Sequence, residues 1–241
     1  MTYVTHAVSA DPINQIDAVE GLFISESSEF MAKYGITHVL SLTEDRDWPA
    51  IALESGFKQL TVPLMDTQLE DLLMYLDMLV LWIEDALLSE RPTQDGEQGR
   101  KQQQQQQQQL NPRPQPRVLV HCLQGVSRSG AVVVAYTMRA LGLDYDAALD
   151  VVRRNRPAVS PNPGFADQLR LWHRLQYRIF SPVDNTADPN LVAAKPEYES
   201  WRSGRGILMS RSEEERREAN FGWAKSIVGA LEYRRRSSAT A

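Results

Sequence analysis

Short apolar runs alternate with longer segments of helical periodicity along most of the chain. "GLFIS" (21–25), "THVLSL" (37–42) and "FKQLTVPL" (57–64) each read as a strand. Between the first two, "SESSEFMAKYG" reads as a helix closed by Gly35, a residue suited to a left-handed C-cap. The most apolar run is "LLMYLDMLVLWIEDALL". Its Leu69, Leu72, Leu73, Leu76, Val80, Ile83 and Leu87 recur at helical spacing, while Asp77, Glu84 and Asp85 argue against a membrane span. An amphipathic helix from Leu69, facing the core, is the expectation. "RVLV" (117–120) is the near-continuous apolar strand of a parallel sheet covered on both faces. From Ser129 onward, "SGAVVVAYTMRALG", "DYDAALDVVRRNRP" and "NPGFADQLRLWHRLQ" read as helices, with Asp144 and Asn162 as N-caps and Gly142 and Pro157 as stops. Strands alternating with helices predict an α/β fold, a central and mostly parallel sheet flanked by helices.

Two segments interrupt this pattern. The stretch 91–116, with a glutamine tract and alternating prolines, cannot bury enough apolar surface to offset the entropy of ordering it, and reads as a disordered loop with no necessary function. It enters the strand whose far end carries Cys122, so it should hang away from that end. The tail from 181 to 241 contains a helix expected over 212–236, capped by Ser212, acidic in its first turn and arginine-rich at its end. Phe221, Trp223, Ile227, Val228 and Leu231 form an apolar stripe that should pack on the rest of the protein.

Composition narrows the class. The 241 residues are 42% hydrophobic and 24% charged, enough for one domain with appendages. A net charge of -5 gives no basis for nucleic acid or an anionic membrane as main partner. The single cysteine, Cys122, excludes an internal disulfide and any cysteine-rich zinc module, and fits a reducing intracellular compartment, cytoplasmic or nuclear. The first residues, "MTYVTHAVSADPINQ", lack the basic-then-apolar pattern of a signal peptide.

A cysteine after an apolar strand is usually a small buried hydrophobe. Here "VLVHCLQGVSRSG" sets it between a strand and a helix, so the backbone from Leu123 through Gln124, Gly125, Val126 and Ser127 to Arg128 can turn its N–H groups inward at a helix N-terminus. An anion held there is centred on the sulfur. Amides, helix dipole and the Arg128 guanidinium all favour the thiolate, the nucleophilic form. The planar Arg128 fork can take two phosphoryl oxygens, and Gly125 lets the backbone bend close to a ligand.

"HCLQGVSRSG" resembles the His-Cys-x-x-Gly-x-x-Arg-Ser signature of cysteine-dependent protein phosphatases, in the Gly-x-Ser-Arg-Ser form of the dual-specificity branch. "LFISESSEFMAKYGITHVLSLT" and "AALDVVRRNRPAVSPNPGFADQLRLW" are similar to that family's opening segment and closing helices, so the likeness covers about three quarters of the chain. It implies the cysteine-phosphatase fold, with a catalytic domain over 1–180. It also implies roles: Cys122 as nucleophile, Arg128 and the 123–128 backbone as phosphate holders, and Ser129 as a hydroxyl that helps the sulfur leave. His121 would orient the thiolate. Asp66, in "PLMDTQLEDLL", matches the family's general acid once the insertion is discounted, with Asp71 as fallback. Arg156 matches a position where some relatives contact a second substrate phosphate.

The implied activity is hydrolysis of phosphotyrosine, and of phosphoserine or phosphothreonine, in proteins through a phosphocysteine intermediate, with no metal or other cofactor. Two alternatives stand beside it. A catalytically weak phosphoprotein-binding module would be expected to lack the nucleophile, the arginine or the acid. A phosphatase of phosphoinositides or RNA 5′ ends would be expected to carry charge inside the loop, which Leu123, Gln124, Val126 and Ser127 do not supply.

Overall fold

Strand β5 (Arg117–His121) is the axis on which the remaining strands are hung. On one side it pairs in parallel with β3 (Ile36–Leu42), matching Leu40 with Val120 and Ser41 with His121; β4 (Lys58–Val62) follows, also parallel. On the other side β1 (Tyr3–Val8) pairs antiparallel, and β2 (Ile16–Leu22) closes the edge antiparallel to β1. The order is β2-β1-β5-β3-β4. Four strands therefore share one direction and β1 alone opposes them, so the sheet is mostly parallel, as expected. The computed structural model describes residues 3–8, 16–22, 35–43, 58–88, 116–183, 187–188, 190–206 and 211–239. The helix expected over "SESSEFMAKYG", apart from Gly35, and the insertion 91–116, apart from Pro116, lie outside the described residues.

Helix α1 spans Leu73–Leu88 and starts four residues later than expected. Its first-turn donors explain the start: Asp71 Oδ1 accepts from the Met74 N–H at 3.1 Å and Gln168 Oε1 from the Leu73 N–H at 3.1 Å. Leu69 stays outside the helix and is exposed. Nor is α1 amphipathic in the expected sense, because its residues 73–81 are all buried. The reason lies in the tail, which covers the face that would otherwise meet solvent. Asp77 tolerates this burial because its carboxylate accepts from Trp172 Nε1 and from the backbone N–H groups of Ile179 and Phe180. No helix among the described residues is long and apolar enough to cross a membrane.

The next three helices follow the sequence signals closely. Helix α2 (Arg128–Leu141) ends on Gly142 at φ 66°. Helix α3 (Tyr145–Asn155) is capped by Asp144, which accepts from the Ala147 N–H, and α4 (Pro163–Arg174) by Asn162, which accepts from the Phe165 N–H. A small hairpin, β6 (Phe180–Pro182) with β7 (Val192–Ala194), then leads to α5 (Pro196–Gly206) and α6 (Arg211–Ala239).

Helix α6 lies along α1 with Ala224, Val228 and Leu231 buried. A Cβ on Gly229 would come within 2.1 Å of the Asn190 carbonyl oxygen, so only glycine permits this approach. Arg235 Nη1 donates to Glu84 Oε2 of α1 at 2.7 Å. Three details differ from expectation, the first being that the helix runs on to Ala239, three residues past 236. The helix begins at Arg211, one residue before Ser212, and Trp223 faces solvent while Ala224 takes its place in the stripe.

Candidate active site

The parallel strands all end on the side where β5 gives way to Cys122. His121, the last residue of β5, is buried, and its Nε2 lies 2.7 Å from Ser41 Oγ on β3. Burial pushes its pKa down to about 4, which keeps the imidazole neutral near pH 7. Cys122 is buried as well, with Sγ 3.2 Å from Ser129 Oγ in the first turn of α2.

Between them the chain bends at Gly125, whose φ of 65° lies in the left-handed region. Among the described residues, the N–H groups of Leu123, Gln124 and Val126 find no backbone acceptor. Two of the loop's carbonyls are held by hydrogen bonds. Arg156 Nε donates to the Gly125 oxygen at 3.2 Å and the Ser160 N–H to the Val126 oxygen at 3.1 Å. Gly130 completes the support, since a Cβ there would come within 2.9 Å of Val159 Cγ1.

Arg128 is only 5% exposed. Its Nη1 donates to the Leu64 carbonyl at 3.1 Å, which anchors the guanidinium to the segment following β4. Its Nε has no hydrogen-bond partner among the described residues. A buried donor left unmade is costly, so the site favours an incoming acceptor.

Asp66 lies on the rim, exposed, with Oδ2 3.9 Å from that Nε. Its Oδ1 accepts from Ser127 Oγ at 2.6 Å and Asn162 Nδ2 at 2.9 Å. Asn162 also fixes the loop that follows, donating to the Thr67 carbonyl at 3.4 Å, while its own N–H donates to Ser127 Oγ at 3.0 Å. Gly164 brings α4 against the same loop, because a Cβ there would be 2.2 Å from the Gln68 oxygen.

The fallback carboxylate is elsewhere. Asp71 is buried at the start of α1 and accepts from Met74 and from Tyr198 Oη at 2.9 Å, and burial raises its pKa. Cys122, Ser129, Arg128 and Asp66 thus converge, while Arg156 sits behind the loop at 6% exposure. Asn162 was legible only as a helix cap, and its second task as a tether for Asp66 carried no separate signal.

The family model for the dual specificity phosphatase catalytic domain matches residues 106–175, which span β5 and the helices behind the loop. Dual specificity protein phosphatase 1B of Arabidopsis thaliana is 30% identical over 164 residues, covering 64% of this chain and 79% of that protein. The chain belongs to the dual specificity phosphatases. Tyrosine-protein phosphatase YVH1 of Saccharomyces cerevisiae is 28% identical over 182 residues, 75% of this chain but 44% of the yeast protein. This dual-specificity family member thus spans less than half the length of that relative. Among solved structures, the Cydia pomonella PTP-2 phosphatase matches with a TM-score of 0.50 at 25% identity, covering 81% of this chain and all of that one.

Proposed function

We propose that this chain hydrolyses phosphotyrosine, and phosphoserine or phosphothreonine, in proteins through a phosphocysteine intermediate. The observation that carries the reading is that the Nε of buried Arg128 makes no hydrogen bond among the described residues, in a loop whose Leu123, Gln124 and Val126 N–H groups find no backbone acceptor, beside a single thiol. A dianionic phosphoryl group supplies the acceptors that this arrangement lacks.

Cys122 attacks phosphorus as the thiolate, the P–O bond breaks, and Asp66 protonates the departing oxygen. In the second displacement Asp66 takes a proton from the attacking water, the S–P bond breaks, and Ser129 stabilises the returning thiolate through its 3.2 Å contact. Arg128 and the amides of residues 123–128 hold the equatorial oxygens in both steps.

Arg156 acts from behind: its 6% exposure and its bond to the Gly125 carbonyl fit a prop for the loop better than a contact to a second substrate phosphate. The catalytic unit extends past residue 180, since α6 covers α1. Leu123, Gln124, Val126 and Ser127 place no charged side chain in the loop, which favours phosphoproteins over phosphoinositides or RNA ends. The need for a free thiol fits a reducing compartment inside the cell.

The test is a panel of phosphopeptides assayed with wild type and Cys122→Ser. Wild type should release phosphate, and the variant should bind the same peptides with turnover below about one per cent, because its hydroxyl ionises far less readily than a thiol. Turnover by Cys122→Ser above about one per cent of wild type would count against Cys122 as nucleophile.

A further inference from the structure

Residues 66–69 are exposed, and the loop that contains them closes one turn of its own, from the Glu70 N–H to the Thr67 carbonyl. Its position therefore depends on what flanks it. One flank is α4, through Asn162, Gly164 and the Gln168 Nε2 bond to the Glu70 carbonyl at 2.8 Å. The other is formed by the tail. Arg205 of α5 donates from Nη2 to the Gln68 carbonyl at 2.8 Å, with its guanidinium stacked over Trp201. Arg216 of α6 donates from Nη1 to Met65 Sδ at 3.4 Å, and its Nη2 lies 3.5 Å from the buried Glu70 carboxylate. Tyr198 of α5 donates to Asp71. These contacts fall on residues 65, 68, 70 and 71, on both sides of Asp66 and never on it.

We propose that the tail helices α5 and α6 set the position of the loop carrying Asp66, with Arg205 and Arg216 as positioning residues for proton transfer to the leaving oxygen. This rests on Asp66 being the general acid. A carboxyl group can serve only within hydrogen-bond reach of the oxygen it protonates, and small misplacements of such a group are costly in rate. The nucleophile and the phosphate loop depend on β5, α2, the α3–α4 connection and, through Arg128, the Leu64 carbonyl, none of which these two arginines touch. Losing the tail contacts should therefore weaken acid catalysis and spare attack.

The experiment uses the full chain carrying Arg205→Gln and Arg216→Gln, with two substrates. For a phosphotyrosine peptide, whose oxygen leaves poorly, kcat/KM, which reports the first displacement alone, should fall about tenfold, a fraction of the full general-acid effect. For a nitro-substituted aryl phosphate, whose oxygen leaves without help, kcat/KM should stay within about twofold. Added to Asp66→Ala, the tail substitutions should change neither rate further, and Arg205→Lys should retain most of the activity lost in Arg205→Gln. Equal losses on both substrates, or losses that multiply with Asp66→Ala, would overturn the proposal. If Asp66→Ala itself fails to distinguish the substrates, the acid assignment falls instead, which is a separate result. Should the double variant not fold, Arg205→Gln alone, altered at a surface contact, gives the same comparison.

Discussion

Ser127 Oγ donates to Asp66 Oδ1 at 2.6 Å, joining the phosphate loop to the acid loop across 61 positions of sequence. The two halves of the proposed chemistry are thus latched together by a hydroxyl. Asp66→Ala should slow phosphotyrosine hydrolysis by about 10² or more and hardly affect an aryl phosphate with a good leaving group. Ser127→Ala, which leaves the Asn162 tether in place, should show the same selectivity at a smaller size. Values of kcat/KM on both substrates decide this, and similar losses on each would make Asp66 structural.

Arg156→Met removes the donor to the Gly125 carbonyl and leaves the volume filled. Inhibition by inorganic phosphate or vanadate should weaken about tenfold, the worth of one charge-assisted hydrogen bond. Singly and doubly phosphorylated peptides should suffer equally. A loss confined to the doubly phosphorylated peptide would return Arg156 to the role of a substrate contact.

His121 gives stability a definite pH dependence. Its pKa is about 4 in the folded state against 6.5 in the unfolded chain, so between those values the unfolded state binds more protons. Its contribution is complete above pH 6.5, and about 3 kcal/mol is lost as pH falls from there to 4. Denaturant unfolding of wild type and His121→Gln should converge over that window, wild type losing more on acidification. Parallel curves would show that folding leaves the imidazole pKa unchanged.

Helix α1 leads away from the acid loop for 16 residues, about 24 Å at helical rise. Strand β5 returns over 5 residues, about 16 Å, to reach Cys122. The chain between them therefore joins at the end remote from the thiol. Replacing Pro92–Gln115 with a short Gly/Ser linker should leave kcat within about twofold and stability within about 1 kcal/mol. A large fall in kcat would mean that this segment reaches the site.

The strands and helices that build the site were legible because each carried two agreeing signals, as with Asp144 and Gly142, which bracket a connection between periodic segments. β1 escaped notice although "YVTHAV" holds three β-branched residues, because its six residues are too few for a period to stand out and no tight-turn signal marks its hairpin with β2. The burial of α1 on nearly every side was invisible for another reason: periodicity reports one covered face, and the second cover is a helix at the opposite end of the chain. Within the site, Cys122, Ser129 and Arg128 follow from a contiguous motif. Asp66 needed the resemblance, and the parts played by Asn162, Arg205 and Arg216 depend on contacts that no local pattern encodes.

Gly164 carries neither charge nor nucleophile, yet the Gln68 carbonyl occupies the place where its side chain would begin. A larger residue there has no room unless the loop carrying Asp66 moves away from α4. On the proposed chemistry the reaction rate is thereby exposed to control by a single methyl group, a throttle set by shape alone.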